Sequence, residues 1–414
     1  MVPGLTQPPY PPAFSTAIAS RDSTALAGIA KTRCGFLLGS ARRTCYEDFL
    51  LELVAKRETR LAVGTLSRLA PLDASTVEHG HDYAHVIGIN AWNPDKSLRE
   101  EYLACTELYQ SGCYHGVIQA YLTYRDADSA TVAAACDQVD PNRANLFLRF
   151  QCVHALGHGL VMTREMHLPR ALRGCDQLGN GWDRESCYGG AFMEFILGGR
   201  GQSHHVHAAG SERSRGDSSA QSRALGHEGH VHGMEDSSPP FKVRDTRDLL
   251  YPCSALASQY LQACYQMQAG IIVETTGLDF ARVAKACDGA PDLWRPACYQ
   301  GIGTYLSGVT VRNAQRSVAL CRLGDRPYRV WCFVGVVKNF IDVTARYEDG
   351  VAFCREMPPD EDRPHCYQAV GEELSVLKPS LADREAACAT LEAPFVDSCR
   401  FGAQLPRRDE SPRS

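Results

Sequence analysis

The cysteines constrain this chain more than any other feature. Eighteen of them fall into nine successive pairs: Cys34 with Cys45, Cys105 with Cys113, Cys136 with Cys152, Cys175 with Cys187, Cys253 with Cys264, Cys287 with Cys298, Cys321 with Cys332, Cys354 with Cys366, and Cys388 with Cys399. From Cys264 onward the second members advance by 34, 34, 34 and 33 residues, and the first members from Cys253 by 34, 34, 33 and 34. A period of this length with two helical patterns per unit indicates an α-solenoid. One unit shows the plan. A short helix through Phe280–Cys287 ends at the Asp288-Gly289-Ala290-Pro291 turn, and a second helix carries Cys298 to Leu306. Bonding each cysteine to its sequential partner staples the closed end of every hairpin. No pair is Cys-x-x-Cys, as zinc ribbons and thioredoxin-type sites require, so the cysteines read as structural disulfides of an oxidising compartment. Small residues near the second cysteine (Gly116, Gly190, Gly301, Gly335 and Gly402) let neighbouring helices approach closely.

Carried backwards, the period exposes a unit without cysteines. Cys45 and Cys113 are two periods apart, and the vacant second-cysteine slot falls on His79, with its first-cysteine slot on Arg68. The expectation is an all-α solenoid of about ten hairpins between residues 22 and 405. The period slips once more between Cys187 and Cys264, leaving residues 199–241 as a Gly-, Ser-, Arg- and His-rich insertion or lid. The repeats therefore divide into 22–198 and 242–405, and residues 1–21 and 406–414 read as disordered tails.

In plan the array resembles tetratricopeptide and Sel1-like repeat proteins, in particular cysteine-rich bacterial Sel1-like proteins with disulfide-bridged hairpins. The resemblance rests on the period, on two helices per unit and on one cysteine pair per unit. The tetratricopeptide Trp, Leu-Gly, Tyr and Pro positions are not matched, and the cysteines here are spaced more widely. It implies a curved superhelix with a concave face for a substrate or protein ligand, and no particular chemistry.

A net charge of −5 excludes a basic nucleic-acid footprint, and no apolar run approaches the ~20 residues of a spanning helix. Met1–Ser20 has five prolines and no basic stretch before an apolar core, so a secretory signal is not evident. The disulfides nevertheless place the chain in the periplasm or outside the cell, which implies a removed leader or a misassigned start.

The chemistry lies in the histidines. With the second cysteine of each unit as position zero, position +2 is His81, His115 and His154 in units two to four, and +6 is His85, Gln119 and His158. Later units have Gly189, Gln266, Gln300, Val334, Gln368 and Phe401 at +2. Residues four apart share a helix face, and neighbouring helices pack ~8–10 Å apart. Five imidazoles are therefore expected in one patch, the arrangement of ligands on helices. His79 is a sixth candidate. Asp82 makes His81-Asp82-Tyr83-Ala84-His85 similar to a zincin helix with Asp in place of Glu, which implies a general base or an orienting partner. Glu194, at +7 of unit five, is a candidate base or ligand, although a solvent-facing Glu is the commoner outcome. His227, His230 and His232 of the insertion are candidate lid contacts. The recurrent tyrosine at +1 (Tyr46, Tyr114, Tyr188, Tyr265, Tyr299 and Tyr367) reads as core.

The cofactor expected is a transition metal: copper, iron or zinc, as one or two ions. Histidines outnumber carboxylates, which favours an exported oxidoreductase using copper or iron. A zinc hydrolase with Asp82 or Glu194 as base is the first alternative. The second is a stapled binding scaffold in which any metal is structural or sequestered.

Overall fold

A computed structural model describes residues 9–125, 129–198, 241–310 and 313–406. The described residues are helical, and none of their helices is long and apolar enough to cross a membrane. Helix α1 (Pro12–Ala19) is followed by the first hairpin, α2 (Ser23–Cys34) and α3 (Gly39–Ala55). The second unit is α4 (Thr59–Leu69), the short turn α5 (Ser75–Glu78) and α6 (Gly80–Ala91). Then come α7 (Leu98–Tyr102) with α8 (Gly112–Tyr124), α9 (Ser129–Val139) with α10 (Leu146–Thr163), and α11 (Leu168–Cys175) with α12 (Gly181–Gly198). After the insertion, α13 (Leu261–Thr275) is the second helix of unit six, whose first helix is reduced to a 3-10 turn at Cys253–Ala255. The last four hairpins are α14 (Phe280–Asp288) with α15 (Arg295–Val309), α16 (Ala314–Cys321) with α17 (Arg329–Thr344), α18 (Tyr347–Glu356) with α19 (Arg363–Leu377), and α20 (Leu381–Ala389) with α21 (Val396–Gly402).

All nine expected disulfides are formed, with Cα atoms 5.5–5.7 Å apart. In the first half Cys34 is bonded to Cys45, Cys105 to Cys113, Cys136 to Cys152 and Cys175 to Cys187. In the second half Cys253 is bonded to Cys264, Cys287 to Cys298, Cys321 to Cys332, Cys354 to Cys366 and Cys388 to Cys399. The described residues form an α-solenoid of ten units. Each staple joins the end of a first helix to the start of a second, and the six +1 tyrosines are buried beside them. Side-chain caps recur with the period: Asp279, Asn313 and Ser380 each accept a backbone N–H at the start of a first helix.

Consecutive second helices touch along the whole series from α3 to α21, whereas contacts between first helices are sparse. A stack packed tightly on one side and splayed on the other must curve towards the tight side, so the second helices line the inner face. The curve is strong enough for α10 to meet α19, five units later. The glycines make the tight side possible. A Cβ on Gly190, Gly301, Gly335 or Gly402 would overlap the carbonyl oxygen of His154, Gln266, Gln300 or Gln368 on the preceding second helix.

That contact corrects the register of unit two. In every case the glycine at +3 abuts the carbonyl of the +2 residue before it. Gly116, at +3 of unit three, abuts the carbonyl of His85. His85 therefore occupies +2, His81 lies at −2, and the vacant cysteine slot is filled by buried Tyr83, not by His79. The matching assignment of Arg68 also fails, because Arg68 is exposed while Leu66 and Leu69 are buried. Counting whole periods from Cys45 missed one helical turn, since two loops on the way changed length.

The expected N-terminal tail is a second correction. Helix α1 caps the solenoid: Phe14 and Ala17 are buried, and Tyr10, Phe14 and Phe49 pack ring against ring at 4.1–5.6 Å. The insertion expected at 199–241, with His227, His230 and His232, lies outside the described residues except for Phe241, which stacks on Tyr251.

Candidate metal centre

The inner face of α6, α8 and α10 brings five histidines together. Helix α6 supplies His81 and His85, α8 supplies His115, and α10 supplies His154 and His158. His85, His115 and His154 are structural equivalents at +2, with His81 one turn before and His158 one turn after. His115, His154 and His158 form a nearly equilateral triangle, with ring centroids 5.2, 5.1 and 5.1 Å apart. His81 and His85 lie 5.8 Å from each other and 5.7 and 6.3 Å from His115, and His85 is 6.2 Å from His158. His85 and His158 are fully buried, His115 and His154 nearly so, and His81 is half-buried.

Each orienting contact comes from a neighbouring element. His158 Nδ1 lies 2.9 Å from Glu194 Oε2 on α12, and both side chains are fully buried. A neutral His158 thus donates from Nδ1 and carries its lone pair on Nε2. His81 Nδ1 donates to the Tyr109 carbonyl at 2.9 Å, and His115 Nε2 lies 3.2 Å from Gln151 Oε1. A backbone hydrogen bond at Ser186 holds His154. An imidazole whose one nitrogen is engaged by a carboxylate, amide or carbonyl is the usual form of a metal ligand, because the contact sets both tautomer and ring direction. His115 Nδ1 is buried without a hydrogen-bond partner.

Burial, reinforced by the rings of His158, His154 and His81, holds His115 far below the ordinary imidazole range. Burial, with His158 next, pushes His154 down to about 3. Both are neutral near pH 7, the state a ligand must have. The backbone beneath is held firmly. Buried Arg149 on α10 pairs with Asp183 on α12 at 2.6 Å and also reaches Asp137 on α9.

Two candidates lie elsewhere. Asp82 is one-third exposed and pairs with Arg43 at 3.2 Å, with His79 Nδ1 3.8 Å from its carboxylate. His79 packs edge-on against Tyr83 at 6.4 Å. Glu194, the candidate base or ligand, is buried and bonded to His158, not solvent-facing. Sequence reasoning missed Gln151 and the carbonyl of Tyr109; the available signal for the first was the polar residue just before the second cysteine, Gln151 in unit four and Ser186 in unit five.

Among the described residues no three His, Cys, Asp or Glu side chains form a group ready to hold a metal ion. His115 and His158 are stacked, with planes 23° apart. The spacing of the three rings is that of ligands: with metal–nitrogen bonds of about 2.0–2.1 Å, tetrahedral imidazole ligands have centroids about 5.2 Å apart.

Fold and site define a disulfide-stapled α-solenoid with a buried histidine cluster on its inner face. No protein-family model, curated protein or solved structure matches the chain.

Proposed function

We propose that this solenoid is an exported metal-dependent oxidoreductase, with copper or iron seated by His115, His154 and His158. The observation that carries the metal reading is the triangle of ring centroids at 5.1–5.2 Å, drawn from adjacent helices and matched to tetrahedral ligand spacing. Glu194 acts through His158, fixing its tautomer and raising its basicity as a ligand. Gln151 and Ser186 do the same for His115 and His154.

The placement of the carboxylates favours redox over hydrolytic chemistry. A zinc hydrolase needs a carboxylate at the ion to take a proton from water. Asp82 is committed to Arg43 outside the cluster, and Glu194 to His158. What faces the seat is imidazole, which suits copper and iron as well as zinc. The metal, when bound, supplies the one-electron chemistry; the chain supplies orientation and exclusion of water. Nine disulfides support a periplasmic or extracellular site of action.

The test is elemental analysis of protein purified without a histidine tag, then loaded with copper, iron or zinc and desalted. One or two tightly held ions per chain, lost in His115→Ala with helix content unchanged, are expected. Equal retention by wild type and His115→Ala would reject the site. Exclusive retention of zinc would return the choice to hydrolysis.

A further inference from the structure

Helix α10 carries a row of side chains one turn apart, Leu146, Phe150, His154 and His158, which runs from its exposed start into the histidine cluster. The first two are apolar, and Leu146 is 41 % exposed. On the neighbouring helix, in the first turn of α12, Trp182 is 42 % exposed. Its ring lies 6.0 Å from Phe150 at an angle of 56°, and Phe150 stacks on His154 at 5.6 Å. We infer that Leu146, Phe150 and Trp182 form a ledge that binds a neutral, planar aromatic molecule beside His154. The ledge stands on its own contacts; only its role as the resting place of a substrate of the metal centre depends on the reading above.

Single exposed apolar side chains are ordinary on a protein surface, but these depart from the repeat. In units six, eight and ten the residue at −4 is aromatic (Tyr260, Tyr328 and Phe395) and packs on the +1 tyrosine of the preceding unit at 4.4–5.9 Å. Unit five has Asp183 at −4, bonded to Arg149, and its aromatic residue stands one place earlier, against Phe150. Trp182 is thus released from the stacking contact of the scaffold. Position −6 departs as well. Unit four has Leu146 there, and no other stapled unit has a large apolar residue at that position. The two departures fall on adjacent helices, one of which supplies two of the five histidines.

The surroundings select the ligand. The polar side chains that flank these residues in sequence are committed to one another: Asp183 accepts from Arg149 and Asn180, and Asp137 accepts from Arg149 and Arg143. A sugar ring also stacks on tryptophan, but it needs partners for its hydroxyls. A charged ligand meets ions that are already paired. What the ledge offers is π-surface and a leucine, which a flat uncharged ring matches through the offset-stacked and edge-on contacts that aromatic rings prefer.

The probe is benzyl alcohol, with cellobiose as the carbohydrate arm, and the protein is used without added metal. Ligand-observed NMR gives affinity, and tryptophan emission reports contact with Trp182. Saturable binding of benzyl alcohol with a change in emission is expected, and no binding of cellobiose. Trp182→Ala should weaken binding about tenfold or more, as removal of one stacking platform does. Leu146→Ala, at an exposed position, should weaken it by a smaller factor. Leu323→Ala, at an exposed leucine of unit eight, should leave it unchanged. No saturable binding by wild type, equal affinity in wild type and Trp182→Ala, or preference for cellobiose would each overturn the inference. Because no ion takes part, failure of the metal reading leaves these outcomes untouched.

Discussion

The crossing of α10 with α12 and the crossing of α15 with α17 use one backbone solution for two different chemistries. In each, a glycine on either helix admits the partner's backbone: Gly157 with Gly190, and Gly303 with Gly335. In each, the +3 glycine abuts the +2 carbonyl, of His154 in one and of Gln300 in the other. The inner face then differs. Position +7 is Glu194 in the first crossing, bonded to His158, and Asn339 in the second, bonded to the Ser307 hydroxyl. The +7 acid of the first crossing bonds the imidazole at +6 of its neighbour, whereas the +7 amide of the second accepts from a hydroxyl at +9. The scaffold residues (disulfide, +1 tyrosine, +3 glycine) set the distance between helices, and positions +2, +6 and +7 are left to carry function.

The largest expected effect separates the two crossings completely. His158→Ala should weaken metal binding beyond the roughly 10–100-fold loss typical of deleting an orienting contact, and Glu194→Gln should fall within that range. Thr304→Ala and Asn339→Ala, their counterparts in the later crossing, should leave it unchanged. Competition titration against a chelator of known affinity measures all four. Equal losses in both crossings would mean that the metal, if held, is not held at the histidines.

A second test asks whether the crossings are mechanically the same. Gly190→Ala and Gly335→Ala each force a methyl group into a backbone carbonyl, and neither helix can shift without leaving its staple. Overpacking of this kind costs about 3 kcal/mol, and the two costs should agree. Urea unfolding midpoints provide the comparison. Only Gly190→Ala should also lose metal affinity, because it displaces the helix that carries Glu194.

These comparisons show what the sequence could reveal. The cysteine period disclosed the hairpins, the staples and the close-approach glycines, because each is a local device repeated at constant spacing. It also placed His81, His85, His115, His154 and His158 on one face. Unit two was misread by four residues, since a period counted through loops cannot see one turn of helix; the clustering survived because a four-residue slip keeps a residue on nearly the same face. Gln151 and the Tyr109 carbonyl were passed over, and Glu194, singled out as a candidate base or ligand, could be tied to His158 only once α12 was seen against α10. The packing of α1 on Phe49 was hidden by its prolines, which suggested a tail although Pro12 stands at the first helical position, where it is well tolerated.

The disulfides sharpen the comparison along the chain. Each closes a short loop, for which chain entropy gives up to about 3 kcal/mol. Cys388→Ser lies in the last unit, which has one neighbour, and should open that hairpin alone. Cys298→Ser lies between two glycine-locked neighbours and should loosen α13 and α17 as well. Hydrogen exchange by residue distinguishes the two. Identical, chain-wide loss of protection in both variants would show that the solenoid unfolds as one unit and that its crossings are not independent.

The smallest effect belongs to the third version of the inner-face contact, in α17 and α19. There +6 is Lys338, 2.8 Å from Glu372 and 3.7 Å from Glu373, which occupies the position of Glu194. Burial alone would lower the Lys338 ammonium, but Glu373 and Glu372 outweigh it and hold the group above its ordinary value. An ammonium raised on folding stabilises the native state below its unfolded value of about 10.4 and loses that contribution as pH climbs through the folded value. Lys338 keeps a quarter of its side chain in water, so the amount is modest, about 1 kcal/mol. Lys338→Met should therefore be less stable than wild type by about 1 kcal/mol at pH 8, with the gap closing as pH climbs above the unfolded value of about 10.4. Tyrosine ionisation weakens both proteins over the same range and cancels in the difference. Urea unfolding at closely spaced pH values reads it directly. A gap that stays constant as the pH is raised until the protein unfolds would mean that Lys338 contributes by packing and not by charge; the inner face of the later units would then be an inert wall, and the polar identity of this position would matter only where it is histidine.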